Sequence, residues 1–89
     1  MRITLRTQPM APTEALKAAV DRNMMKLSRN PELTSAEIYM TSEHDEHVTK
    51  IRLHGRHVDL IAKAKAGNMY KALKEAVNKL RSQLTKKKF

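Results

Sequence analysis

The stretch Gly67-Asn68-Met69-Tyr70-Lys71-Ala72-Leu73-Lys74-Glu75-Ala76-Val77-Asn78-Lys79-Leu80-Arg81-Ser82-Gln83-Leu84-Thr85-Lys86 sets the terms for the rest of the chain. Its apolar residues Met69, Ala72, Leu73, Ala76, Val77, Leu80 and Leu84 recur every three or four positions, the spacing of an amphipathic helix. Gly67 and Asn68 break the preceding segment, and Asn68 is a good cap for the helix that follows. The pattern predicts a helix from Met69 to Lys88. One apolar stripe on such a helix requires a second apolar surface to cover it.

Working back toward the N-terminus, that surface reads as strands. Val58, Leu60, Ala62 and Ala64 alternate with Asp59, Ile61 and Lys63; Thr49, Ile51 and Leu53 alternate with Lys50, Arg52 and His54. Gly55-Arg56 between them predicts a tight hairpin turn. Ser42 to His47 forms a polar, acidic turn, and Ala36 to Thr41 is a further strand with Ile38 and Met40 inward. Thr13 is a good N-cap for a helix running to about Leu27, with Leu16, Ala19, Val20, Met24 and Leu27 on one face, and Asn30-Pro31 ends it. Arg2 to Thr7 alternates around Ile3 and Leu5, and Pro9 and Pro12 bracket the loop that follows.

The expected order is β-α-β-β-β-α, an α+β fold in a single domain, residues 1–89. A four-stranded, mostly antiparallel sheet would carry both helices on one face. They would bury Ile3, Leu5, Ile38, Met40, Ile51, Leu53, Leu60 and Ala62. The other face would stay open and carry Arg2, Arg6, Lys50, Arg52, His57 and Lys63, since an antiparallel sheet tolerates one wet face.

Eighteen Lys and Arg stand against nine Asp and Glu, a net charge of +9 on 89 residues. A compact domain so unbalanced repels itself, and a polyanion relieves the repulsion. No apolar run approaches the roughly 20 residues that span a bilayer, so a membrane is not expected as the partner, and no signal peptide is read at the start. The absence of cysteine removes disulfides and thiolate metal sites. Tyr39, Tyr70 and Phe89 are the only aromatic residues, too few for base stacking to dominate, so phosphate and shape recognition of RNA fits better.

From Gly67 to Phe89 seven basic residues face one acid, Glu75, a net +6 of the chain's +9. Lys71, Lys74, Asn78, Arg81, Thr85 and Lys88 step by three or four and form one exposed stripe; Lys79 and Lys86 lie a heptad apart on another flank, and Lys87 completes the basic end. A rigid basic helix can follow the phosphates and 2′-hydroxyls of an A-form groove without reading sequence. Lys17, Arg22, Lys26 and Arg29 give the first helix a smaller basic edge. His44-Asp45-Glu46-His47 resembles a metal cluster in composition only, because a turn lacks the support that fixes ligands; a solvated acidic loop is expected, with no metal and no cofactor. No phosphate-cradling glycine loop and no nucleophile with a recognisable base is present, and a core this small leaves little scope for a deep pocket, so no enzymatic activity is expected.

The run Gly67 to Leu73, followed by Asn78-Lys79-Leu80-Arg81-Ser82-Gln83-Leu84-Thr85-Lys86, resembles the ribosome hibernation promoting factor family, also called the ribosome-associated inhibitor or sigma-54 modulation family, whose signature looks like D-M-Y-x-A-I-D … D-K-L-x-R-Q-L-x-K. Thr13-Glu14-Ala15-Leu16 opening a helix that ends at Lys26-Leu27 fits as well. The likeness covers essentially the whole chain and implies the same β-α-β-β-β-α fold. It implies a cytoplasmic, non-catalytic factor that binds 16S-type rRNA of the small ribosomal subunit between head and body. There it blocks mRNA and tRNA reversibly under stress or in stationary phase. By position, Lys26, Lys79, Gln83, Lys86 and Lys88 would face rRNA; charge adds Arg22, Lys71, Lys74, Arg81 and Lys87. Tyr70 matches the motif tyrosine, with packing of the helix start as its favoured role. The motif arginine falls on Ser82, next to Arg81, and the motif acids fall on Asn68, Lys74 and Asn78. Chain length reads as the short form of the family, monomeric off the ribosome, for which a separate ribosome modulation factor is an expected partner. Two other readings of the same charge are a general double-stranded-RNA or RNA-chaperone module and a domain that meets an acidic protein.

Overall fold

A computed structural model describes residues 1–8 and 11–86, except for the side chains of Ser28, Thr85 and Lys86. Its elements are β1 (Arg2–Gln8), α1 (Glu14–Ser28), β2 (Leu33–Glu43), β3 (Glu46–Gly55), β4 (Val58–Ala66) and α2 (Met69–Lys86). The expected order and class are those of the structure. The sheet runs β1-β2-β3-β4, with β1 and β2 parallel and the other two pairings antiparallel. A parallel pair cannot be closed by a hairpin, and α1 is the crossover that joins it.

Both helices start where expected. The Thr13 hydroxyl accepts from the Leu16 amide at 3.1 Å, and Asn68 Oδ1 accepts from the amides of Tyr70 and Lys71 at 2.8 and 3.4 Å. Asn30 Oδ1 accepts from the Glu32 amide at 3.0 Å, shaping the chain beyond α1 before Pro31 and β2.

The strands outrun their expected bounds, and the turns shrink accordingly. The acidic turn contracts to His44-Asp45 and the second to Arg56-His57, the pairs left between Glu43 and Glu46 and between Gly55 and Val58. His44 and His57 take positive φ of 54° and 63°; neither is β-branched, so the left-handed region is open to them at modest cost. Gly55 is therefore the last residue of β3 rather than a turn residue, and His57 stands in the turn, not on the open sheet face where alternation had placed it.

One core fills the space between the layers. Leu16, Val20, Met24 and Leu27 of α1 and Leu73, Ala76, Val77 and Leu80 of α2 pack on Ile38, Met40, Ile51, Leu53, Leu60, Ala62 and Ala64. Each fully buried leucine or isoleucine contributes roughly 1.5–3 kcal/mol. Ile3 and Leu5, expected in the core, are only partly buried because β1 is an edge strand. Since β1, β2 and β4 run in one direction, α1 and α2 leave the sheet at the same end and return side by side. Thr13 and Leu16 line one cleft together with Met69 and Tyr70 at that end.

Candidate nucleic-acid interface

The helix layer brings together part of the expected site. The inward residues of α1 and α2 fix what points outward. Lys71, Lys74, Asn78 and Arg81 are all exposed on α2, and Arg22 and Lys26 are exposed on α1. Lys17 and Asp21 line the groove toward β1 together with Ile3 and Leu5. Arg22 and Lys26 lie on the opposite flank of the helix, toward α2. Two parallel helices thus carry their cations on one rigid surface. Among the described residues Arg22, Lys26, Lys71 and Lys74 have no carboxylate within ion-pair distance, whereas Lys17 is 3.8 Å from Glu14 on the outer flank.

Lys79 and Gln83 go elsewhere. The Lys79 ammonium donates to the Lys63 carbonyl at 2.7 Å, and the Gln83 amide donates to the Ile61 carbonyl at 3.4 Å. Both carbonyls belong to β4, an edge strand whose outward backbone groups have no neighbouring strand. Covering such an edge with a lysine blunts strand-to-strand association. These two residues therefore border the helix surface and reach around β4. The Lys86 side chain, Lys87 and Lys88 lie outside the described residues.

The open face of the sheet is a second charged surface, ordered by strand register. Its cross-strand rows run Arg2–Ser35–His54–Asp59, Thr4–Glu37–Arg52–Ile61, Arg6–Tyr39–Lys50–Lys63 and Gln8–Thr41–Val48–Lys65. One half is neutralised. His54 lies 3.6 Å from Glu37 and 3.5 Å from Asp59, Arg52 lies 3.8 Å from Asp59, and the Tyr39 hydroxyl donates to Glu37 at 2.7 Å. The Tyr39 bond, with His54, Arg52 and Arg6 nearby, holds the Glu37 carboxyl below its ordinary value against the opposing effect of burial. The same bond, followed by burial and the Glu37 charge, raises the Tyr39 phenol. The other half carries Lys50, Lys63 and Lys65, with Glu43 at the rim of the shallow basin they line, and none of the three lysines is in an ion pair among the described residues.

Sequence reasoning missed Lys65, although one further step of the β4 alternation leads to it. It also missed the Glu37–Tyr39–His54–Asp59 group, which depends on a register no local pattern displays. The acidic run is divided: His44 and Asp45 form the turn, while His47 Nδ1 lies 3.0 Å from Ser42 Oγ across the β2–β3 pair. No group of three potential metal ligands occurs among the described residues.

Comparison with known proteins bears on the whole chain. The model of the family described as sigma 54 modulation protein / S30EA ribosomal protein matches residues 3–88. Two solved structures share the fold. A ribosomal subunit interface protein from Coxiella burnetii aligns with TM-score 0.90 and 20% identity, over 97% of this chain and 96% of that one. The N-terminal domain of Protein Y from Thermus thermophilus aligns with TM-score 0.90 and 18% identity, over 99% and 100%. No curated protein matches in sequence.

Proposed function

Because the chain belongs to the sigma 54 modulation protein / S30EA ribosomal protein family, we propose that it is a cytoplasmic ribosome-silencing factor. In this reading it seats its helix face on 16S-type rRNA of the small subunit, in the channel used by mRNA and tRNA. Occupancy excludes both ligands sterically, and dissociation restores the ribosome, as suits stress or stationary phase. No bond is made or broken. The protein acts as a monomer off the ribosome, and a separate ribosome modulation factor is the partner with which it would pair ribosomes.

The observation that carries this reading is the surface shared by α1 and α2, where Arg22, Lys26, Lys71 and Lys74 present charge with no counter-ion among the described residues. Phosphates supply that counter-ion and release their own condensed cations, so affinity must fall steeply with salt. With about five phosphates neutralised, the log–log slope is roughly −4 to −5. The broad helix face, with few aromatic residues, suits an A-form groove rather than splayed bases. A general double-stranded-RNA module remains the second reading, favoured by the same unpartnered cations.

Sucrose-gradient sedimentation with purified small subunits, run beside a translation assay, separates the two. The silencing reading expects co-sedimentation that bound mRNA and tRNA prevent, together with inhibition of translation. Equal affinity for free duplex RNA and for subunits, with no inhibition, supports the general module instead.

A further inference from the structure

The register places Lys50 directly opposite Lys63 on the open face of the sheet. The Lys63 carbonyl points outward to Lys79, so the pair is of the closer, non-hydrogen-bonded kind. Like charges directly opposed in a sheet are destabilising, and solvent alone gives no reason to keep them there. Lys65 stands one pleat further along β4, beside Val48. Together the three line a basin of about 230 Å³, with the Tyr39 ring and Thr41 beside them and Glu43 as its one acid. Among the described residues none of the three ammonium groups is paired with a carboxylate. Two further acids of this face, Glu37 and Asp59, are engaged in the other half, with Tyr39, Arg52 and His54.

We infer that the Lys50–Lys63–Lys65 basin is a second RNA-backbone site, on the face of the sheet opposite the helices. The occupant is the phosphodiester chain. Three ammonium groups on a shallow floor suit an extended row of phosphates, and a lone aromatic ring already tied to Glu37 gives little for bases to stack on. Lys79 belongs to this arrangement as a positioning residue, since its bond to the Lys63 carbonyl brings a fourth positive charge to the edge between the two faces. The inference rests on the RNA-binding reading above but concerns a different surface, so the two fail separately.

The test is a titration of the ¹⁵N-labelled chain with a short A-form RNA duplex, alongside subunit binding by the wild type and by Lys50→Ala/Lys63→Ala/Lys65→Ala. The site expects shift changes at Lys50, Lys63 and Lys65 as well as along α2. It also expects the variant to bind subunits about tenfold more weakly, with a salt slope shallower by about two to three. Removing the opposed lysines is expected to leave the melting temperature unchanged or raised. If it falls instead, Lys65→Glu reverses one exposed charge, leaves the opposed pair intact, and is expected to weaken binding on its own. Unchanged affinity and slope, or shift changes confined to the helices, overturn the inference. So does polyglutamate binding the basin as tightly as RNA, which would make it a site for an acidic protein. A wild-type chain that ignores subunits overturns the ribosome reading, and the duplex titration then judges the basin alone.

Discussion

The helix face and the open sheet face are both rich in cations, yet they are built differently. On the helices, the exposed charges follow from what the core leaves outside: Leu73, Val77 and Leu80 turn inward, so Lys71 and Lys74 turn outward. On the sheet, each charge has a cross-strand neighbour, and the neighbour decides its fate. Arg52 and His54 meet Asp59 and Glu37 and are spent within the protein, while Lys50 meets Lys63. Counting cations does not locate a polyanion site; counting cations without partners does. Exposed ion pairs contribute little to stability, typically under about 1 kcal/mol, so the paired half of the sheet matters mainly because it withdraws charge from any ligand.

The comparison assumes that both faces rest on one rigid frame, and the largest expected effect tests that frame. Gly55 ends β3 where the chain leaving α1 crosses it, and the Arg56 amide donates to the Glu32 carbonyl at 2.7 Å. A Cβ at Gly55 would overlap the Glu32 carbonyl oxygen and lie 2.9 Å from both the Glu32 carbonyl carbon and Leu33 Cα. Every obstacle is backbone, so no side chain can swing aside. Gly55→Ala is expected to destabilise the fold by about 2–3 kcal/mol, lowering the melting temperature by roughly 10 °C or more. When folded at low temperature, the variant should bind RNA through either face like the wild type. A melting curve unchanged by Gly55→Ala would show that the α1–β2 connection is not held against the hairpin.

The difference between the faces also explains what the sequence revealed. A helix face is written in one local run, so the stripe of Lys71, Lys74 and Arg81 follows from periodicity alone. So do the caps at Thr13 and Asn68, which are properties of a residue and its next three neighbours. The sheet face is written in four separated runs and assembled by register. Alternation named Lys50 and Lys63 as outward-facing, but nothing local shows that they oppose each other. Gly55 was misplaced for a related reason: a glycine beside Arg56 looks like turn chemistry, whereas its need comes from Glu32, more than twenty residues earlier in the chain. Resemblance to the family motif directs Lys79 and Gln83 to a ligand, whereas their bonds to the Lys63 and Ile61 carbonyls belong to no local pattern. The proximity of an edge strand with outward carbonyls is a tertiary fact.

The second prediction perturbs the layer beneath both faces without touching either. Thr49 lies on the inward side of β3, fully buried, and its hydroxyl has no hydrogen-bond partner among the described residues. A buried hydroxyl left unpaired costs about 1–3 kcal/mol. Valine has nearly the same shape and suits a strand at least as well. Thr49→Val is therefore expected to raise stability by about 1 kcal/mol, read as a melting temperature higher by roughly 4–8 °C. RNA affinity and its salt slope should stay where they are, since no surface charge moves. A loss of stability would mean that the hydroxyl has found a partner in solution.

The smallest effect falls on the half of the sheet that is paired. Glu37 sits below its ordinary 4.5 chiefly because Tyr39 donates to it, and Tyr39 sits above its ordinary 10.0 for the same bond. The two linkages have opposite signs. For Glu37 the stabilisation is present above the unfolded-state value and is lost as pH falls through the lower folded value. For Tyr39 it is present below the ordinary phenol value and is lost as pH rises through the higher folded one. Glu37→Gln keeps an oxygen that can accept the phenol proton but removes the negative charge. Ionisation of the Tyr39 ring, followed by NMR, should then move to lower pH, toward the ordinary value, since Arg6 and Arg52 remain to favour the phenolate. The acid-side loss of stability due to Glu37 should disappear with it. Because the substitution also frees His54 and Arg52 from one of their acids, the paired half should come to resemble the lysine half, and RNA affinity should rise slightly at low salt. An unmoved Tyr39 titration would show that the bond does not form in solution. An unmoved affinity would show that only the lysine half of the sheet, and not its whole charge, is seen by RNA.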